Sequence, residues 1–166
     1  MPPTAAELEN YRRSLDLRID GNGQLLHEGH PVAHPGVRQA LLDGLDLLPN
    51  GEACIRIGAQ WAYVQCAFTP FVVQRAEILP DGVRLRLNTG RTVHVAAADL
   101  NLRLHRDTVL LLDLAAGGPP ARCSHAAWMQ LADHLLYVGE RLQLQGAGWV
   151  AAVAVHDTSG TAATLP

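Results

Sequence analysis

Leu15-Asp16-Leu17-Arg18-Ile19 and Leu100-Asn101-Leu102-Arg103-Leu104 carry the same alternation of apolar and polar residues. The reading of the fold works outward from that echo. At the same offset Leu25-Leu26 falls on Leu110-Leu111. Further on, Gly51-Glu52, Gly58-Ala59 and Trp61 return as Gly139-Glu140, Gly146-Ala147 and Trp149. Between the matched stretches each copy holds one segment of helical period. A repeat of this length implies two like units that each cover an apolar face of the other. The expected fold is therefore α+β and β-rich. It has two tandem ββαββ-type repeats joined by β-hairpins, with antiparallel strands, one helix in each repeat, and Trp61 and Trp149 in equivalent places.

Local signals fill in the elements. Thr4 stands three residues before Glu7, the spacing of a capping box, which starts a helix over 5–13. Asp20-Gly21-Asn22-Gly23 is a turn that leads Gln24 to His27 back as a hairpin partner. Val37, Leu41, Leu42 and Leu45 share a helical face, as do Trp128, Leu131, Leu135 and Leu136 in the second copy, so Leu41, Leu45, Trp128, Leu131 and Leu135 are expected to be buried. Pro80-Asp81-Gly82 and Asn88-Thr89-Gly90 are hairpin turns around Val83 to Leu87. Pro70 makes the strand from Phe71 to Leu79 separate or an edge. Gly117-Gly118-Pro119-Pro120 reads as a loop and Ser124 as an N-cap. The expected organisation is an N-terminal helix over 1–14, a first unit with additional hairpins over 15–95, a second unit over 96–158 and a flexible tail over 159–166. One mismatch stands: the apolar phase of Ile55 and Ile57 is one residue off that of Leu142 and Leu144. Either a bulge compensates or the alignment there is displaced.

Composition bounds the function. In 166 residues the apolar share is 48% and the net charge is −3, enough for a folded interior. All thirteen basic residues are arginine, and they are scattered among acids rather than gathered on one face, which argues against nucleic acid. Three cysteines without paired spacing fit a reducing compartment. The start carries no signal-peptide pattern, and the longest apolar runs are far short of the roughly 20 residues of a spanning helix. The expectation is a cytoplasmic protein with no membrane partner.

Two further stretches carry a resemblance. Asp20-Gly21, His27-Glu28-Gly29-His30-Pro31-Val32 and Thr69-Pro70-Phe71, followed by Pro120-Ala121-Arg122-Cys123-Ser124, Ala127-Trp128 and Gln130-Leu131, resemble the bacterial domain-of-unknown-function family 1285. The likeness spans 15–155 and departs at Leu26 and at the connection before Asn88. It implies a β-rich α+β fold with repeated motifs, no established activity, and a signalling role only by suggestion.

Residues with chemical potential are few. His27, Glu28, His30 and His34 lie close in sequence, and His27, His30 and His34 form one alternative as a metal set for a hydrolase. Zincin spacing is absent, and Gly29 and Pro31 preclude a helix there. The favoured candidates are His30, His34, Arg122 and His125, in the loops that precede the two helices, because helix N-termini accept anions. The alternative role for Arg122 is an ion pair with Asp113. Cys123 beside Arg122 is a candidate for a lowered thiol pKa, with nothing else assembled around it. No nucleophile elbow or dinucleotide loop is present, no catalytic residue is assigned, and no cofactor is expected. The expected function is a non-enzymatic binding or regulatory module for a small anionic ligand or a protein partner. Self-association as a structural homo-oligomer is a further reading.

Overall fold

Each of the two blocks folds around the pairing of its first strand with its last. The computed structural model describes residues 2–106 and 108–156, so the expected flexible tail over 159–166 lies outside the described residues. After helix α1 (Ala5–Ser14), the first block contains β1 (Leu17–Ile19), β2 (Leu25–His27), β3 (His30–Pro31), α2 (Pro35–Asp43), β4 (Leu45–Leu47), β5 (Ala53–Ile57) and β6 (Gln60–Cys66). A meander follows: β7 (Val72–Leu79), β8 (Gly82–Leu87) and β9 (Thr92–Ala96), then a 3-10 turn (Ala97–Asp99). The second block contains β10 (Leu102–His105), β11 (Val109–Asp113), β12 (Pro120–Cys123), α3 (His125–Ala132), β13 (Leu135–Val138), β14 (Arg141–Gln145) and β15 (Val150–His156).

The first sheet runs β3-β2-β1-β6-β5-β4, and the second runs β13-β14-β15-β10-β11-β12-β7-β8-β9. Both sheets are mixed rather than antiparallel. Leu17 pairs with Val64 in parallel, as Leu102 does with Val153, and β12 pairs with β7 in parallel. Each block reads βββαβββ, with two strands more than the expected ββαββ. The meander, expected with the first unit, extends the second sheet, and β7 lies inside that sheet between β12 and β8 rather than at an edge. Pro70 precedes the strand and costs it no ladder bond.

The missed strands have local causes. Leu45 continues the helical spacing, but α2 stops at Asp43 and Gly44 turns the chain onto β5, where its carbonyl accepts from the Arg56 amide at 2.8 Å. A side chain at Gly44 would overlap the Arg56 carbonyl, so the turn needs glycine. Leu45 is buried, but from β4. Likewise Leu135 and Leu136 belong to β13, half-buried and exposed. On α2 the buried residue is Leu42; Leu41 is half-buried and Val37 is exposed, so the apolar stripe is narrower than its spacing suggested. Ala127 and Leu131 form the buried face of α3, with Trp128 half-buried. Thr4 and Glu7 close the capping box of α1.

Strand register settles the phase mismatch. Ile55 pairs with Ala62, and Leu144 pairs with Ala151. Ile55 therefore corresponds to Leu144 and Ala53 to Leu142, with no bulge. The two hairpins then match as Ile57 with Gly146 and Gln60 with Trp149. Trp61 and Trp149 are not equivalent: Val150 occupies the station of Trp61, and the sequence alignment was one residue out.

Two cores result. One joins α2 to β1, β5 and β6 through Leu17, Leu42, Ile55 and Val64. The other surrounds α3 with residues from the whole second sheet, among them Val73, Leu85, Leu112 and Leu131. Val72 belongs to the first core and Val73 to the second, so the start of β7 is buried on both faces.

Candidate functional site

The β1–β2 turn is the foot on which the first unit stands. Asp20 accepts from the amides of Asn22 and Gln24 at 2.9 and 2.8 Å, which winds the turn tightly. Gly23 has φ +81°, and a Cβ there would lie 2.5 Å from the Asn88 Cβ. Only glycine meets both demands. Asn88 is buried and fully used: it accepts from the Val72 amide at 3.0 Å and donates to the Pro70 carbonyl at 3.0 Å. Buried Thr69 donates to the Pro120 carbonyl at 2.7 Å. The Thr69-Pro70-Phe71 stretch is thus a structural joint between the units.

Beside this foot a polar cleft of about 460 Å³ opens between the first unit and the β7–β8 hairpin. Its polar lining is Asn22, Gln24, Arg38, Gln39, Gln74, Arg86 and Asn88, with no carboxylate among the lining residues. Arg38 is half-buried and donates to the Val32 carbonyl at 3.2 Å. Gln39 ties α2 to the meander through the Thr89 carbonyl at 2.9 Å. Arg86 faces Arg75 directly across β7 and β8. Neither makes an ion pair among the described residues, although opposed like charges on adjacent strands are unfavourable. Elsewhere Arg13, Arg18, Arg56, Arg84 and Arg103 each meet a carboxylate. Arg12, Arg91, Arg122 and Arg141 likewise make no ion pair among the described residues, so what marks this cleft is that two such arginines, Arg38 and Arg86, line it together, which suits an anion.

The expected site residues do not converge. His34 caps α2, its Nδ1 accepting from the Val37 amide at 3.3 Å. His125 opens α3, but Ser124 caps that helix through the Ala127 amide at 3.2 Å. Arg122 points away from α3: its neighbour Ala121 enters the α3 core, while Arg122 sits beside Val72 on the opposite face of the sheet. Its partner is not Asp113, which takes Arg103 at 2.6 Å. Instead the guanidinium lies 3.4 Å from where a Gly21 Cβ would stand and 6.0 Å from the Phe68 ring centre. Its Nε is buried without a hydrogen bond. Arg122 fills the seam between units. His27 and exposed His30 are cross-strand partners, yet among the described residues no three histidines, cysteines or carboxylates come close enough to hold a metal ion. The set His27, His30 and His34 does not assemble. Cys123 is buried and its thiol is pushed up to about 12 by that burial against the opposing pull of Arg122, the reverse of an activated nucleophile.

Sequence reading missed Arg38 and Arg86 because nothing in the chain brings them together except the fold. The signal available was compositional: arginines that lack an acid at helix or strand spacing.

The molecule is thus an α+β protein of two mixed sheets, with a basic cleft where they meet. Its fold is that of DUF1285 family proteins. It is similar to the crystal structure of a DUF1285 family protein from Silicibacter pomeroyi, with a TM-score of 0.64 and 15% identity, covering 84% of this chain and 79% of that one. It is also similar to one from Shewanella baltica, with a TM-score of 0.53 and 13% identity, covering 72% of this chain and 92% of that one. No family model matches the chain, and no curated protein does. No helix among the described residues is long and apolar enough to cross a membrane.

Proposed function

We propose that this protein is a non-catalytic binding module whose cleft between the first unit and the meander takes a small anionic ligand. The observation that carries the reading is the pair Arg38 and Arg86, which line a cleft whose lining residues include no carboxylate; Asp43 and Asp20 stand just behind it, bonded to Gln39 and to the Asn22 and Gln24 amides. A volume of about 460 Å³ accommodates a ligand of metabolite size, and amide side chains at its rim supply orienting hydrogen bonds. Each charge-assisted bond contributes ~1.5–3 kcal/mol. A cytoplasmic setting agrees with three free cysteines. We take the two βββαβββ units as tandem copies of one ancestral unit, on the strength of their equal strand order. In a bacterial regulatory role, ligand binding at the cleft would fix one unit against the other.

The test is a thermal-shift and calorimetric titration with inorganic pyrophosphate and with citrate. A saturable stabilisation by either anion that is lost in Arg38→Gln/Arg86→Gln supports the reading. An equal response in the double variant, or none in the parent protein, removes it.

A second reading, self-association, is favoured by strand β13. It is a sheet edge with Leu136, Tyr137 and Val138 exposed at 47%, 64% and 54% and no charged residue within it. Light scattering at rising concentration distinguishes a dimer from a monomer.

A further inference from the structure

Among the described residues the two sheets end in four edge strands, and three of them are guarded. β3 has two residues, one of them Pro31. β4 has Asp46 at its centre. β9 carries His94, bonded to Asp81 at 3.1 Å. Shortness, proline and polar or charged side chains discourage the addition of a further strand. β13 lacks them: Leu135-Leu136-Tyr137-Val138 pairs with β14 in unbroken register. Just before it, the Gln145 amide donates to the His134 carbonyl at 2.8 Å. Antiparallel ladders alternate, so Leu136 and Val138 also bond inward to β14, whereas Leu135 and Tyr137 turn their N–H and C=O groups outward. No described backbone group outside the sheet bonds to Leu135 or Tyr137.

We infer that β13 pairs antiparallel with β13 of a second copy of this chain, about a two-fold axis through Tyr137, so that the two nine-stranded sheets become one. This rests on the self-association reading above and adds the partner strand and its register. Three features favour that register. Tyr137 exchanges its outward bonds with the partner's Tyr137, and Leu135 meets the partner's Gly139, so the outward donors of both strands find acceptors. On one face Leu136 lies opposite the partner's Val138, and on the other the two Tyr137 rings are neighbours, so apolar side chains meet apolar ones. Gly139 has φ +63° and nothing within 4 Å of where its Cβ would stand, which leaves room for the partner's Leu135. The neighbouring register, centred on Leu136, sets His134 against the partner's Val138 and Asp133 against the partner's Gly139, polar against apolar. A two-fold pairing closes on itself, so assembly stops at two copies. Four residues of strand bury less surface than a stable dimer needs, so the Kd is on the order of 100 µM.

Sedimentation of the whole chain from about 10 µM to about 1 mM is expected to show a monomer–dimer equilibrium. Tyr137→Lys sets like charges face to face at the axis and is expected to weaken the dimer at least about tenfold. Register is read by cross-linking. Paired strands bring directly opposed Cα atoms within disulfide reach, so Tyr137→Cys is expected to join two copies and Leu136→Cys is not. Amide exchange in the parent protein needs no variant: Leu135 and Tyr137 are expected to exchange more slowly as concentration rises. A parent protein that stays monomeric overturns this inference together with the self-association reading. A dimer unaffected by Tyr137→Lys, a link through Leu136→Cys in place of Tyr137→Cys, or a dimer with unchanged exchange at Leu135 and Tyr137 overturns the inference alone.

Discussion

Asp113 on β11 and Arg103 on β10 meet at 2.6 Å, and Asn101 donates to the other carboxylate oxygen at 2.6 Å. Asp113 is nearly enclosed while Arg103 keeps a quarter of its side chain in water. Breaking such a pair strands the remaining charge. Asp113→Ala is expected to cost about 3 kcal/mol in urea denaturation. A loss below about 1 kcal/mol would mean that water solvates Arg103 without help.

Gly23 faces two constraints and Gly29 faces one. Both have positive φ, but nothing stands within 4 Å of a Cβ at Gly29, whereas Asn88 and Val72 crowd Gly23. Gly29→Ala is expected to cost about 1 kcal/mol and Gly23→Ala about 3 kcal/mol, the second adding overpacking to backbone strain. Equal costs in denaturant titrations would show that the foot of the first unit yields.

The helix faces are testable by truncation. Leu131 is 1% exposed, and Leu131→Ala is expected to lose roughly 2–5 kcal/mol. Val37 is 51% exposed, and Val37→Ala is expected to change stability by less than about 0.5 kcal/mol. Calorimetric melts of the two variants check the contrast.

Burial raises all three thiols, Cys123 most, to about 12. With so little thiolate at neutral pH, Cys123 in the native protein is expected to react with a disulfide reagent at least about a thousandfold more slowly than in the unfolded chain. Rapid native labelling of Cys123, located by mass spectrometry, would contradict the packing described.

His105 stacks on His156 at 4.9 Å between ring centres. Its pKa is held below the ordinary 6.5 by burial first, then by His156 and Arg103. The folded imidazole therefore protonates less readily than the unfolded one. As pH falls below 6.5 the unfolded chain takes up the proton first, so stability drops through that window and is level above it. An NMR titration should place His105 below 6.5, and His156→Asn should move it part of the way back. A midpoint at or above 6.5 would refute this.

Much of the architecture was legible because alternation and turn chemistry are local. The hairpins at Asp20-Gly21-Asn22-Gly23, Pro80-Asp81-Gly82 and Asn88-Thr89-Gly90 needed only neighbouring residues. Strands β4 and β13 were not legible, because Leu45 and Leu135 continue a helical spacing; before β4 the break shows only in Gly44, pressed against β5, and before β13 no glycine marks it. Parallel pairing of Leu17 with Val64 leaves no mark in either strand. The site fared worse. His34 was recognised beside a helix start, but its role there is to cap, and Arg122 lies on the other face of its strand from α3. Arg38 and Arg86 come to line one cleft only when β1–β2 seats on the meander.

The closure of each unit by its first and last strands governs the order in which the chain can assemble. Leu17 must wait for Val64 and Leu102 for Val153, separations of roughly fifty residues whose loop entropy slows folding. The meander has no such delay, since each of its strands follows its partner across a short turn. During synthesis β7, β8 and β9 emerge before β12, the strand they join. A preformed three-stranded ribbon can therefore template the second unit, its free β7 margin waiting for Arg122 and Cys123 to arrive.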